Sequence, residues 1–426
     1  MLLSTRDPEF WTKFREEHWL PRVPTVIRQP FKQFPISEEL FLRTLQKFED
    51  DLQKGDKRKH CIVSVGEQIK GDPRKPLRRL FKKPSATIEE LSASVGRVFK
   101  KRNFGVIVTN SHSAHPEVWD AMTAFLQDAR GTIDFPLPRT FMDLFYGRYS
   151  NKFTGLHKDT QDIFAFVSVG QKRMLAWPFE YLVGKVPGIT LGDKYFNKRL
   201  PIDYRKFRKD AVVLDANAGD VIYWPGDHWH VAEPVAGCFS GMMSLGVLRQ
   251  DLRRPAPEPS RFLKKLLTPN PNPGQRGAML SQDLTSVVGW QDAERQLRWL
   301  TGFGFEHGRP MTEVPRGKSK PIRGVRNPYA LVLWVRNAEH RQLVVSSGGH
   351  AITLADSPEL VALLEQVARG EKVDVAEQAS RVAVLQVEES YWTLESQAKI
   401  RKVGSKRDPV WWLAGWLQRV GAILPV

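Results

Sequence analysis

The sequence predicts a mainly β chain, either a sandwich or a jelly-roll barrel with flanking helices, followed by a C-terminal α+β domain of winged-helix type. Between Phe141 and Leu248, short apolar runs alternate with turn signals, a pattern typical of folds built from many short strands. From 326 to 426, a hairpin pattern is followed by short amphipathic helix patterns, which is typical of a winged helix.

The composition is that of a folded and strongly basic protein. The 426 residues include 64 Lys and Arg against 47 Asp and Glu, which gives a net charge of +17. A hydrophobic share of 41% with 26% charged residues excludes a largely disordered chain. The charge favours an acidic partner such as RNA, a ribosome, an acidic peptide or a membrane surface, and it does not choose among them.

Cysteines and apolar runs exclude further classes of protein. Cys61 and Cys238 are too few for a disulfide framework or a Cys-rich zinc module. The N-terminal sequence MLLSTRDPEFW has an apolar run of only two Leu, so we expect no signal peptide and a cytoplasmic location. No window contains the ~18 uninterrupted apolar residues that a membrane span needs. No amphipathic basic helix is recognisable either, so we expect no membrane partner.

Five short segments of the barrel region are predicted strands. They are Ile163–Val169, Arg173–Trp177, Ala211–Leu214, Val221–Trp224 and Phe239–Leu248. The first, second and last are nearly continuous apolar runs, so we expect them to be buried on both faces. Gly170, Gln171 and Lys172 separate the first two, which predicts a turn there.

Composition shifts divide the chain into three predicted domains, 1–250, 251–325 and 326–426. The middle one contains a Pro-rich basic linker, Arg253–Gly274, and a helix within Gln282–Leu300.

The third domain carries clear turn and capping signals. Ala330–Val335 and Gln342–Val345 form a predicted hairpin, and Ala351–Leu354 is a candidate third strand. Ser357 before Pro358 and Asp408 before Pro409 each predict the start of a helix.

The most informative stretch is Thr154-Gly155-Leu156-His157-Lys158-Asp159. In a strand, residues i and i+2 point to the same face, so His157 and Asp159 can present an imidazole and a carboxylate to one point. One further histidine would complete a 2-His-1-carboxylate triad, which leaves open positions on Fe(II).

A second element lies downstream, with the sequence Gly219-Asp220-Val221-Ile222-Tyr223-Trp224-Pro225-Gly226-Asp227-His228-Trp229-His230. It predicts a turn, a strand, a Pro-Gly corner and a further strand. His228 and His230 point to the same strand face, so both are candidates for the missing ligand.

With these two elements the chain resembles the JmjC-type branch of the Fe(II)/2-oxoglutarate-dependent oxygenases, in particular asparaginyl hydroxylases and bacterial ribosomal oxygenases. In that family the distal histidine is the twelfth residue of the Gly-Asp element, often after a Trp; these positions are His230 and Trp229 here. A Thr before the first histidine and a Lys after the aspartate also match, at Thr154 and Lys172.

The resemblance implies a double-stranded β-helix (cupin, JmjC) barrel and a catalytic metal site. It implies that His157, Asp159 and His230 bind Fe(II), and that Thr154 and Lys172 bind the distal carboxylate of 2-oxoglutarate, with O2 as the second cosubstrate. Because such a buried carboxylate needs a cation and a donor, these residue types suit that role. Either Tyr146 or Tyr149 would complete the pocket.

The implied function is hydroxylation of a side chain of a protein or peptide, with a ribosomal protein or a precursor peptide as candidate substrates. Hydroxylation of a modified tRNA base is the second hypothesis, which would make RNA a partner. A metal-free, cupin-like binding module is the third. Some ribosomal oxygenases carry a dimerisation segment and a winged helix after the barrel, so a homodimer is a candidate assembly.

Gln161 and Asp162 follow the metal motif directly. We expect them to be solvent-exposed loop residues, with a role facing the substrate as the alternative.

Overall fold

The computed structural model describes residues 8–55, 61–65, 68–83, 85–100, 103–133, 139–148, 155–235, 239–248, 290–312, 321–337, 339–375, 388–389, 401–402 and 408–425. The chain divides into two compact units, Met1–Met122 with Thr140–Arg249, and Thr123–Arg139 with Gln250–Val426. The sequence-based domain limits remain predictions. Among the described residues, no helix has the length and apolar character needed to cross a membrane.

Short amphipathic helices flank the sheet of the first unit. They are α1 (Pro8–Phe14), which continues as a π-helical segment (Arg15–Trp19), α2 (Glu38–Gln53), α3 (Arg74–Leu80), α4 (Ile88–Val98) and α5 (Pro116–Asp128). Side-chain caps define two of these starts, because Ser37 Oγ accepts a hydrogen bond from Leu40 N and Thr87 Oγ1 accepts one from Glu90 N.

The strands of the first unit form one curled sheet. They are β1 (Thr25–Ile27), β2 (Cys61–Val65), β3 (Gln68–Ile69), β4 (Phe104–Val108), β5 (Arg139–Arg148), β6 (Leu156–Lys158), β7 (Gln161–Pro178), β8 (Lys198–Leu200), β9 (Val212–Asn217), β10 (Val221–Trp224), β11 (His228–Glu233) and β12 (Ser240–Leu248). The described strands make a 12-stranded sheet in the order β3-β2-β4-β5-β12-β7-β11-β6-β8, with β1 on β10 and both β9 and β10 on β7. This curled antiparallel sheet with its helices fits a jelly-roll, cupin-type fold, as predicted.

Strand β7 is the central strand of the sheet and pairs with β9, β10, β11 and β12. The sequence predicts two strands with a turn at Gly170, and this detail is wrong: one strand runs from Gln161 to Pro178. Gly170 has a φ of +62°, and a Cβ there would lie 2.1 Å from the carbonyl oxygen of Phe239. The glycine therefore bends the strand and lets a neighbour approach closely, so the hydrogen-bonded ladders continue past it.

The bend divides β7 between two sets of partners. Its first half pairs with β10 and β12, and its second half pairs with β9 and β11. The segment from 162 to 169 is buried throughout, and so is the segment from 174 to 177, which confirms the expectation of burial on both faces.

The second unit combines three helices with two small sheets in its described part. The helices are α6 (Trp290–Thr301), α7 (Pro358–Ala368) and α8 (Pro409–Arg419). The strands are β13 (Ile322–Arg326), β14 (Val332–Asn337), β15 (Gln342–Ser347), β16 (His350–Ala355), β17 (Val373–Val375), β18 (Glu388–Glu389), β19 (Arg401–Lys402) and β20 (Ile423–Pro425). The sheet orders are β17-β13-β20 and β14-β15-β16-β18-β19.

Local signals of the second unit are confirmed. Strands β14 and β15 form the predicted hairpin, and β16 adds the third strand. Ser357 Oγ accepts from Leu360 N at 3.3 Å, and Asp408 Oδ1 accepts from Val410 N at 2.8 Å, so both predicted caps begin their helices. The linker at 253–274 lies outside the described residues, and the winged-helix assignment remains a prediction.

Candidate metal centre

Two histidines and one aspartate converge where β6 meets β11. His157 and His230 are cross-strand partners, which places their side chains on the same face. Asp159 follows β6, and its Oδ2 lies 4.0 Å from His157 Nε2 and 3.5 Å from His230 Nε2. One ligand atom from each residue lies within 4.8 Å of the others, so the three side chains could hold a metal ion.

Backbone hydrogen bonds set the tautomer of both imidazoles. His157 Nδ1 donates to the carbonyl oxygen of Gly155 at 3.0 Å, and His230 Nδ1 donates to that of His228 at 3.1 Å. Because a carbonyl oxygen only accepts, each Nδ1 carries the proton and each Nε2 keeps its lone pair. Those Nε2 atoms are the ones that face Asp159, so the donors are directed towards a common point.

Electrostatics favour the protonation states that bind a metal. Burial is the main cause that lowers the pKa of His157 from 6.5 to about 4, and nearby His230 adds to it. Burial alone would raise the pKa of Asp159, but the adjacent imidazoles of His230 and His157 lower it to about 2. At neutral pH, His157 is therefore neutral and Asp159 is ionised.

His228, the other candidate histidine, has a different environment. It is buried, and its Nδ1 lies 3.1 Å from Asp227 Oδ1. Among the described residues, the group of possible ligands contains His230 and not His228. Trp229 between them is fully buried on the opposite face, where its Nε1 donates to the Phe179 carbonyl oxygen at 3.2 Å.

A cavity of about 180 Å³ opens beside the three residues. The side chains that line it, besides the triad, include Phe141, Asp143, Phe145, Gln161, Ile163, Lys172, Met174, Trp224, Met242 and Ser244. Lys172 is only 4% exposed although it carries an ammonium group. The candidate ligands and the buried Lys172 side chain therefore line the same cavity, whose wall is otherwise mostly apolar.

Of the three other candidates for the pocket, the one that the structure describes lies elsewhere. Tyr146 is fully buried, and its hydroxyl hydrogen bonds with that of Ser92 at 2.9 Å. Thr154 and Tyr149 lie outside the described residues.

Sequence reasoning missed Asp143. It lies on β5 between Phe141 and Phe145, and all three line the cavity. Burial, reinforced by the charge of Asp159, raises the pKa of Asp143 to about 7. The period-two spacing of these three residues was the available signal, because alternate strand residues share a face.

The expectation that Gln161 and Asp162 lie in a solvent-exposed loop was wrong. Gln161 begins β7 and lines the cavity. Asp162, the next residue of this strand, is 1% exposed. Its carboxylate accepts hydrogen bonds from the Arg22 guanidinium at 2.9 Å and from Gly226 N at 2.7 Å. These charge-assisted contacts offset the cost of removing the carboxylate from water.

Comparison with known proteins gives structural matches only. No family model and no curated protein matches the chain. A solved structure of Escherichia coli YcfD has a TM-score of 0.43 and 17% identity, covering 86% of this chain and 90% of that one. YcfD with cobalt and succinic acid has a TM-score of 0.42 and 14% identity, covering 85% of this chain and 89% of that one. YcfD with cobalt and 2-oxoglutarate has a TM-score of 0.40 and 16% identity, covering 85% and 90%. YcfD is described as a ribosomal oxygenase.

Proposed function

We propose that the protein is an Fe(II)- and 2-oxoglutarate-dependent dioxygenase that hydroxylates a side chain of a protein or peptide. One observation carries this proposal: His157, Asp159 and His230 converge on a cavity that also contains the buried Lys172. Two imidazoles and one carboxylate are the ligand set of non-haem Fe(II) oxygenases. A metal-free binding module would not require this combination of ligand tautomers and a buried cation.

The residues present fit an iron ion. Both histidines offer Nε2 lone pairs, because each Nδ1–H is committed to a backbone carbonyl. Asp159 supplies an ionised oxygen, so the three ligands would leave positions for other groups. When bound there, Fe(II) with a chelating 2-oxo acid and O2 supplies the oxidising chemistry for hydroxylation of an unactivated carbon.

Lys172 suits the distal carboxylate of 2-oxoglutarate. Its side chain comes from the second half of β7 and lines the same cavity as the triad. A lysine ammonium in a site largely shielded from water can bind a carboxylate through a charge-assisted hydrogen bond. The matching role of Thr154 remains part of this proposal.

The cavity wall supports a side chain as the hydroxylated group. Its volume of about 180 Å³ lies below the range of roughly 300–1,000 Å³ that is usual for drug-sized ligands, and the cosubstrate would take part of it. The space left suits one amino-acid side chain better than a nucleoside. Trp224 packs against the His230 ring at a centroid distance of 5.1 Å, which shields that face of the imidazole from water.

The proposal extends to the substrate, the location and the role of the second unit. A ribosomal protein and a precursor peptide are the candidate substrates, with the cytoplasm as the proposed location. The second unit, with its proposed winged helix, would contact the substrate or a second copy of the chain.

Product analysis tests this function. Fe(II) binding by the purified protein would be measured first. The protein would then be incubated in air with Fe(II) and 2-oxoglutarate, in separate reactions with ribosomal proteins and with tRNA, and succinate and the masses of the protein and RNA products would be measured. We expect succinate to form and one protein to gain the mass of one oxygen atom, with neither result for His230→Ala. Mass gain on RNA instead of protein would contradict the substrate class, and failure to bind Fe(II) would contradict the whole proposal.

A further inference from the structure

Arg22 links the two segments that carry the candidate metal ligands. We propose that Arg22 is a positioning residue for the metal centre, which it serves by clamping these segments together. The inference rests on the proposed function of the site. Arg22 precedes β1, and its side-chain hydrogen bonds go to Asp162 and Asp227, not to the three ligands. Its effect on the ligands would therefore be exerted through the backbone.

The contacts of Arg22 form a charged fork. Nη2 and Nη1 donate to the two carboxylate oxygens of Asp162, at 2.9 and 3.3 Å. Nε donates to Asp227 Oδ1 at 2.9 Å. The side chain of Arg22 is 25% exposed, against 1% for Asp162 and 17% for Asp227, so all three charges are mostly removed from water. Planar guanidinium groups suit such a two-carboxylate arrangement because their donors have fixed directions.

The two aspartates occupy matching places beside the ligands. Asp162 lies three residues after Asp159, and Asp227 lies three residues before His230. One guanidinium therefore spans from the segment that carries Asp159 to the corner that carries His230. Its position fixes where the two halves of the ligand set stand relative to each other.

Backbone contacts couple the same two segments. Asp162 Oδ1 also accepts from Gly226 N at 2.7 Å. A Cβ at Gly226 would lie 2.6 Å from the carbonyl oxygen of Gln161 and 2.7 Å from the carbonyl carbon of Thr160. The Pro-Gly corner is thus pressed directly against the chain that follows Asp159, and the arginine holds the outer side of this contact.

The backbone conformation of Arg22 is determined by the end of the preceding helical segment. Its φ of +59° lies in the left-handed region, which arginine rarely adopts. Val23 N donates to the His18 carbonyl oxygen at 2.9 Å, which ends the preceding π-helical segment and sets this conformation. This turn at the end of the helical segment places the Arg22 side chain where both carboxylates accept hydrogen bonds from it.

Arg28 provides a matched control within the same N-terminal segment. Its Nη1 donates to Asp220 Oδ2 at 2.7 Å, so it is also an arginine–aspartate link from this segment to the barrel. Asp220 lies in the turn before β10 and not beside a ligand. Loss of Arg28 therefore tests the general effect of removing such a link.

The test is binding of Co(II), a coloured substitute for Fe(II), to the full-length protein. Visible absorption would be followed during Co(II) titration of the wild type and of Arg22→Met, Arg22→Lys and Arg28→Met, with the melting temperature of each. We expect Arg22→Met to weaken Co(II) binding about tenfold or more and to change the absorption spectrum, since supporting contacts commonly contribute 10- to 100-fold in metal affinity. Arg22→Lys should recover part of the loss, and Arg28→Met should bind as the wild type does.

Two results would overturn the inference and leave the proposed function intact: unchanged Co(II) affinity and spectrum in Arg22→Met, or equal weakening of Co(II) binding in Arg28→Met. Absence of Co(II) binding in the wild type would instead overturn the proposed function. If Arg22→Met fails to fold, Asp227→Asn replaces it: weaker binding with an altered spectrum supports the clamp, and wild-type binding overturns it.

Discussion

His157 and His230 stand directly opposite each other in the register of β6 and β11, with ring centroids 4.1 Å apart. This relationship makes the site possible, because the two residues are far apart in the chain and meet only through strand pairing. Asp159 completes the group from just past the end of β6. The candidate metal centre therefore depends on the register of the barrel strands, which must be correct before these three side chains can meet.

The two histidines of β11 should behave differently on mutation. We expect His230→Ala to abolish Fe(II) binding, because it removes one of three ligands, and His228→Ala to retain it, because His228 contacts Asp227 instead. Isothermal titration calorimetry under anaerobic conditions measures Fe(II) binding by both variants. Loss of binding in His228→Ala and retention in His230→Ala would show that the second histidine ligand is His228.

Lys172 should determine affinity for the cosubstrate without affecting the metal. We expect Lys172→Met to weaken 2-oxoglutarate binding roughly 10- to 100-fold, the usual effect of losing a charge-assisted hydrogen bond in a dry site. The neighbouring Arg173 provides the control, since its guanidinium pairs with Asp215 and Glu233. Arg173→Met should leave the dissociation constant unchanged. Equal effects of the two variants, or loss of metal from Lys172→Met, would refute the role given to Lys172.

Gly226 should tolerate no side chain. We expect Gly226→Ala to lower the free energy of unfolding by about 1–3 kcal/mol, because its Cβ would press on the backbone of Thr160 and Gln161. Gly192→Ala is the control, with Thr190 Oγ1 at 3.6 Å as the nearest atom to its Cβ. Urea unfolding measures both, and equal stability of the two variants would contradict the close approach.

His350 should make the stability of the second unit depend on pH. Its Nε2 donates to the Arg309 carbonyl oxygen, and burial, then the charges of Arg298, Arg309 and Arg419, lowers its pKa from 6.5 to about 4. Between these values the unfolded chain binds a proton that the folded chain does not. The contribution is therefore complete above pH 6.5 and is lost as the pH falls towards 4, by at most about 3 kcal/mol.

The variant His350→Gln isolates this effect. It keeps a donor but does not titrate, so its unfolding free energy relative to wild type should rise as the pH falls from 6.5 to 4. Urea unfolding at several pH values gives the comparison. A difference between the two proteins that stays constant with pH would contradict the assignment.

Features that depend only on neighbouring residues could be predicted from the sequence. Ser357 and Asp408 predict the starts of their helices because a cap involves only residues of the first turn. The i, i+2 spacing of His157 and Asp159 likewise predicts that both side chains point to one face.

Long-range contacts could not be predicted in this way. Nothing near Arg22 in the sequence indicates that it meets Asp162 and Asp227, so Asp162 was wrongly expected to be exposed. Gly170 has the sequence features of a turn, and only the neighbouring strands show that it bends a continuous one.

The most direct test of the central claim is anaerobic absorption spectroscopy of the protein with Fe(II) and 2-oxoglutarate. A 2-oxo acid that chelates Fe(II) in a site of two histidines and one carboxylate gives a visible charge-transfer band. We predict this band in the wild type only when both Fe(II) and 2-oxoglutarate are present, and its loss in His230→Ala. A wild-type protein that gives no such band with both present would contradict the account.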